Sequence, residues 1–140
     1  VAELTPLALA RDVDLGVEGE TRAPVQGIAV ALAILIRNLV DNAIRHSPAG
    51  GRVDVRLGAS AKTVTLSVSD EGPGIAPQER ARIFEPFYRV PGSPAGGAGL
   101  GLAIVQRIAA FHGARVSAEA GSGGRGTVMR VVFPRAHEFR

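Results

Sequence analysis

Asn38, Asp41, Asn42 and Arg45 stand at i, i+3, i+4 and i+7, the spacing that brings side chains onto one face of an α-helix. Leu32, Leu35, Ile36, Leu39 and Ala43 line the flank beside them. Two amides, a carboxylate and a guanidinium therefore share one direction at the border of an apolar surface. Asn is a poor helix former because its side chain competes for backbone hydrogen bonds, so two of them one turn apart call for a chemical reason. Amide oxygens are hard ligands suited to Mg²⁺, and a guanidinium pairs with phosphate oxygens.

A second carboxylate is marked by parity. Val64, Leu66 and Val68 alternate with Thr63, Thr65, Ser67 and Ser69, and Asp70 shares the phase of the apolar set, which aims it at the core side of a strand. A buried ionised acid needs partners, since leaving it unpaired costs several kcal/mol. The plainer alternative is an Asp that caps the turn ahead of Gly72. Asp70-Glu71-Gly72-Pro73-Gly74-Ile75 is a tight turn in which glycine permits close backbone approach. Further on, Gly96-Gly97-Ala98-Gly99-Leu100-Gly101-Leu102 runs straight into a helix, whose bare first N–H groups form an anion site. Neither a P-loop pattern nor a strand-linked Gly-x-Gly-x-x-Gly is present, which argues against those two phosphate-binding modes.

These groups must be positioned by the elements along the chain. Residues 1–11 read as a short helix or linker, and Val13, Leu15 and Val17 alternate with Asp12, Asp14 and Gly16 as a strand. A short extended piece is expected at Thr21–Gln26, before the helix Ile28–His46, which Ser47-Pro48 and two glycines stop. Val53, Val55 and Leu57 pair by a turn at Gly58–Ala61 with the strand ending at Asp70. Pro77–Ile83 fits a short charged helix, Phe84 to Arg89 gathers three aromatic rings, and 90–98 is a loose Pro/Gly/Ser/Ala segment expected to be mobile. The helix Leu102–His112 stops at Gly113, and strands Val116–Ala120 and Thr127–Phe133 follow, with a polar tail at 135–140.

Composition narrows the classes. At 140 residues with 46% hydrophobic content, the chain holds a single core and a single domain. All but one of the 16 basic residues are Arg, Lys62 being the exception; they are scattered, which speaks against nucleic acid as a partner. With 4% aromatics and no Trp, stacking platforms for single strands are lacking as well. The absence of Cys excludes disulfides, thiolate metal sites and a Cys nucleophile. Ile28–Ile36 is too short to cross a bilayer, and a start at Val1 suggests a piece of a longer protein.

Four segments in this order, Asn38–His46, Asp70–Ile75, Phe84–Arg89 and Gly97–Leu102, resemble the N, G1, F and G2 boxes of the catalytic ATP-binding domain of sensor histidine kinases, of the GHKL (Bergerat-fold) superfamily. Gly124-Arg125-Gly126-Thr127 is similar to the superfamily's last glycine-threonine element. The resemblance covers residues 12–134 and implies an α/β (α+β) two-layer sandwich, a mixed, largely antiparallel sheet packed on one side by about three helices. It implies ATP and Mg²⁺ as cofactors, with Asn42 on the metal and Asn38 and Arg45 on the phosphates or the metal's water shell. Asp70 would accept from the adenine amino group beside Gly72, Gly74 and Ile75, with Thr127 supporting it. Residues 76–96 would be a mobile lid, anchored by Phe84 and Phe87, with Arg89 reaching toward the phosphates. Gly97, Ala98, Gly99, Leu100, Gly101 and Leu102 would cradle them. Members often have Lys-Tyr at Arg45-His46, and a packed or adenosine-edge role is expected for His46 rather than that of a base.

The resemblance also separates two chemistries. ATP-hydrolysing relatives carry a Glu four residues before the metal-binding Asn, where this chain has Asn38, and an amide cannot take a proton from water. The implied activity is a histidine protein kinase. No His here sits in the motif expected of the phosphoacceptor, so the acceptor is expected on a separate dimerisation domain, for relay to a response regulator. The whole protein is then expected to be an inner-membrane sensor of which this is a cytoplasmic, monomeric domain that binds ATP without phosphorylating itself. The alternative is a nucleotide-binding regulatory module or an anti-sigma-type Ser kinase of the same superfamily.

Overall fold

The computed structural model describes residues 9, 13–19, 25–90 and 99–136. The fold is built on one five-stranded sheet. β1 (Asp14–Gly19) lies at one edge, parallel to β2 (Arg52–Ala59), which forms an antiparallel hairpin with β3 (Thr63–Asp70). β5 (Thr127–Pro134) sits between β3 and the other edge, β4 (Arg115–Ala120), antiparallel to both. Arg52 clamps the parallel edge, donating to Asp14 at 2.6 Å and Asp54 at 2.8 Å.

Strand alternation decides which face is covered. Val64, Leu66, Val68 and Asp70 are buried on β3 and Met129, Val131 and Phe133 on β5, while Thr65, Ser67, Ser69 and Arg130 sit half-buried on the opposite face. Over the apolar face lie α1 (Ala29–His46) and α2 (Gly101–Phe111). Leu35, Leu39, Val40 and Ile44 of α1 and Val105 of α2 are fully buried there. Each such side chain contributes about 1.5–3 kcal/mol by leaving water. The two-layer, mixed and largely antiparallel architecture expected from the sequence is the one observed.

Two expectations need correction. The segment Pro77–Ile83 is not one α-helix: it forms 3-10 turns at Pro77–Glu79 and Arg82–Phe84, after which Glu85 is extended. The reason is local, since Pro86 disfavours helical geometry at Glu85, and burial of Ile83 and Phe84 draws the turn onto the core. The rings of Phe84 to Tyr88 also do not gather: Phe84 is buried, but Phe87 is 70% exposed. The helix expected at 1–11, apart from Leu9, and most of the piece at Thr21–Gln26 lie outside the described residues.

Candidate functional site

The polar stripe forms on the second half of α1, where the helix becomes amphipathic. Asn38 donates its amide N–H to the Ile34 carbonyl at 3.0 Å, and its Oδ1 faces the start of α2, where a Cβ at Gly101 would stand 3.0 Å away. Arg45 donates from Nε to both Asp41 carboxylate oxygens at 3.1 Å. That i,i+4 pair is legible in the spacing, although the resemblance assigns Arg45 to the phosphates or the metal's water shell. One turn after Asn42, His46 donates from Nδ1 to the Asn42 carbonyl at 2.8 Å.

The far end of α1 meets Asp70. The carboxylate is 8% exposed, as its strand phase requires, and Oδ1 accepts the Gly72 N–H at 2.8 Å. Burial raises its pKa, and the Gly72 N–H, the His46 side chain and the Thr127 N–H oppose that rise. Both readings of Asp70 are thus partly realised, because it is buried and it also caps the Gly72 turn. Thr127, itself buried, is the register partner of Asp70 across β3–β5. Backbone closeness fixes the surroundings: a Cβ at Gly72 would stand 2.4 Å from the His46 carbonyl oxygen, and one at Gly126 (φ +70°) 1.9 Å from that of Asp70. Gly74 and Ile75 continue the turn, half-buried, and the Ile75 carbonyl accepts from Arg80 Nε at 3.2 Å.

At the other end, α2 begins without a side-chain cap at Leu100 and without an acid in its first turn. Its first N–H groups therefore keep their capacity for an anion. Gly99, Leu100, Gly101 and Leu102 are in place there, whereas Gly97 and Ala98 lie outside the described residues. At the base of the expected lid Phe84 is buried but Phe87 is not, and there the backbone makes the closure: the Phe87 N–H donates to the Gly99 carbonyl at 2.9 Å. Phe87 is left-handed (φ +66°), a conformation that costs a non-glycine residue about 1–3 kcal/mol, and its ring points outward. Next to it, Tyr88 donates its hydroxyl to Glu79 and lies beneath the Arg82 guanidinium at 4.5 Å. Arg89 is exposed at this base.

One line along α1 thus joins a buried carboxylate under glycine backbone, an amide-and-guanidinium stripe and an open helix start. Among the described residues no group of three His, Asp, Glu or Cys could hold a metal by itself.

Comparison with known proteins gives the family. Residues 27–137 match the model described as histidine kinase-, DNA gyrase B- and HSP90-like ATPase. The chain belongs to this family. It is 40% identical over 136 residues to the sensor protein kinase PmrB of Pseudomonas aeruginosa, covering 96% of this chain and 28% of PmrB. The chain therefore spans little more than a quarter of that relative. Among solved structures, a mycobacterial sensor histidine kinase MprB superposes with a TM-score of 0.81 at 35% identity, covering 98% of this chain and 92% of that one. ShkA, solved in complex with AMPPNP, gives 0.80 at 30% identity over 98% of this chain and 29% of its own. Membership in this ATP-binding family assigns ATP as the nucleotide class.

Proposed function

We propose that this chain is the catalytic domain of a sensor histidine kinase, binding Mg-ATP and passing the γ-phosphate to a His on a dimerisation domain outside the chain, for relay to a response-regulator Asp. The observation that carries this reading is the spacing of two unlike ends along α1. Asp70, an acceptor held among backbone groups, suits the adenine amino group, and the uncapped start of α2 beside Asn38 suits the phosphates. AMPPNP in ShkA is in keeping with it.

Asn42, Asn38 and Arg45 would hold the metal-chelated triphosphate, with Asn42 as the protein's ligand to Mg²⁺. Bound there, the ion neutralises phosphate charge and fixes its geometry. Asp41, which accepts the Arg45 Nε–H, would orient the guanidinium toward the phosphates. Gly99 to Leu102 bind oxygens through backbone N–H, and Arg89 approaches from the lid. Transfer to an imidazole then requires in-line placement and charge neutralisation more than proton abstraction. No side chain on the stripe is poised to take a proton from water, since Asn38 is an amide and Asp41 is engaged by Arg45.

An acceptor outside the chain is supported by His112, both of whose ring nitrogens are engaged within the fold, while His46 is tied by Nδ1 to the Asn42 carbonyl of its own helix. Val30 and Ile34, on the helical stripe that continues into Asn38, are exposed, as are Ile104 and Phe111 of α2; this apolar surface suits the helices of the dimerisation domain. Among the described residues no helix is long and apolar enough to cross a membrane, and a cytoplasmic position on a membrane sensor is part of the proposal. Incubating the chain with γ-labelled ATP and Mg²⁺ tests it: nucleotide binds with no covalent label, and label appears only when the His-bearing domain is added. Label on the chain alone, or steady release of phosphate, would refute the assignment.

A further inference from the structure

α1 starts without a cap of its own: Ile28 gives no side-chain hydrogen bond and no acid lies in the first turn. Helix starts leave such N–H groups to be satisfied from elsewhere. Here the partner comes from 84 residues away, as the Ile28 N–H donates to Nε2 of His112 at 3.1 Å. The Nδ1 of the same ring lies 2.8 Å from the Ile108 carbonyl, so Nδ1 carries the proton and Nε2 is the bare acceptor. The imidazole is 8% exposed, sits edge-on to Phe111 with centroids 5.4 Å apart, and leaves no room at Gly27, where a Cβ would stand 2.3 Å from Cδ2.

His112 is the residue that ends α2. The two helices therefore run antiparallel, and α2 meets α1 at both of its own ends, His112 against Ile28 at the start of α1 and Gly101 against Asn38 at its middle. From Ile28 to Asn38 is a rise of about 15 Å, and from Gly101 to His112 about 16.5 Å, at 1.5 Å per residue. The spans agree to within about one residue's rise. Apolar packing between the helices is non-directional and tolerates axial slip, whereas a hydrogen bond between their ends sets the register.

We propose that His112 is a positioning residue for nucleotide binding: by capping α1 it fixes the axial register that places Asn38 and Asn42 opposite the open start of α2. This rests on the reading of that end as the phosphate site. The adenine end is built on β3, β5 and the far end of α1, and is less dependent on the register.

The test uses the whole chain at a temperature where circular dichroism shows every variant folded. Hydrogen exchange reads the Ile28 N–H without nucleotide, and calorimetry reads adenosine and Mg-ATP separately. H112F keeps a ring but no acceptor, and G27A drives a Cβ into the imidazole. Both should unprotect Ile28 and weaken Mg-ATP about tenfold while adenosine changes less than about twofold. H112Q, which returns an acceptor near Nε2, should restore Mg-ATP to within about threefold, and the double variant H112F/G27A should be no worse than either alone, because both act on one contact. Unprotected Ile28 with unchanged Mg-ATP affinity would overturn the proposal, as would equal losses for adenosine and Mg-ATP, the mark of a merely structural role. Failure of the underlying nucleotide reading looks different, since the wild-type chain then binds neither ligand.

Discussion

Asp70 carries two opposed demands. Its burial suits the proposed adenine contact yet penalises its own charge, which is why its pKa is raised above the usual carboxylate value. A carboxyl whose folded pKa lies above the unfolded one favours the fold most below the unfolded pKa, and that contribution is lost as pH rises through the folded pKa. Asp70→Asn should therefore melt at a higher temperature than wild type at pH 7, with the gap closing on acidification toward pH 4, while its affinity for adenosine falls. Melting curves across that range, with binding at pH 7, check both. Asn42→Ala tests the opposite end: it should lose at least about tenfold, or 1.4 kcal/mol, of Mg-ATP affinity, and the loss should vanish when calorimetry is repeated in EDTA.

The elements hold these residues through backbone as much as through side chains. Gly126→Ala illustrates this: its left-handed φ costs about 1–3 kcal/mol with a Cβ, and the overlap with the Asp70 carbonyl adds to it. Urea titration should show a loss at the upper end of that range or beyond, and adenosine affinity should drop with it. Much of this was legible beforehand. The phase of Val64, Leu66 and Val68 placed Asp70 inward, the i, i+3, i+4, i+7 spacing made the stripe, and glycines before an apolar-periodic run marked the open start of α2. What escaped has a common cause, because pairings between distant residues leave no local period: His112 on Ile28 and Phe87 on Gly99 could not be read from spacing. Phe87 misled for a further reason. An aromatic residue in a chain with few of them reads as core, but the left-handed backbone that closes the lid base turns its ring to solvent.

For the whole molecule, the exposed apolar residues of the helical layer separate binding from transfer. The side chains of Val30 and Ile34 are exposed, and Ile34 meets Asn38 through its backbone carbonyl, which a substitution retains, so Val30→Glu and Ile34→Glu should leave Mg-ATP affinity within about twofold of wild type, as surface changes usually do. They should slow phosphoryl transfer to a His-bearing domain supplied in trans by roughly tenfold, consistent with loss of an apolar contact worth about 1–3 kcal/mol. Equal transfer rates would remove this surface from the proposed encounter. A different consequence follows from the backbone closeness at Gly72 and Gly126. An adenine site of the kind proposed, walled there by main chain, offers few places where a single codon change could enlarge or reshape it, so a saturation-mutagenesis screen for altered base preference should return few hits in those loops, and gains should cluster instead on the side chains at the rim.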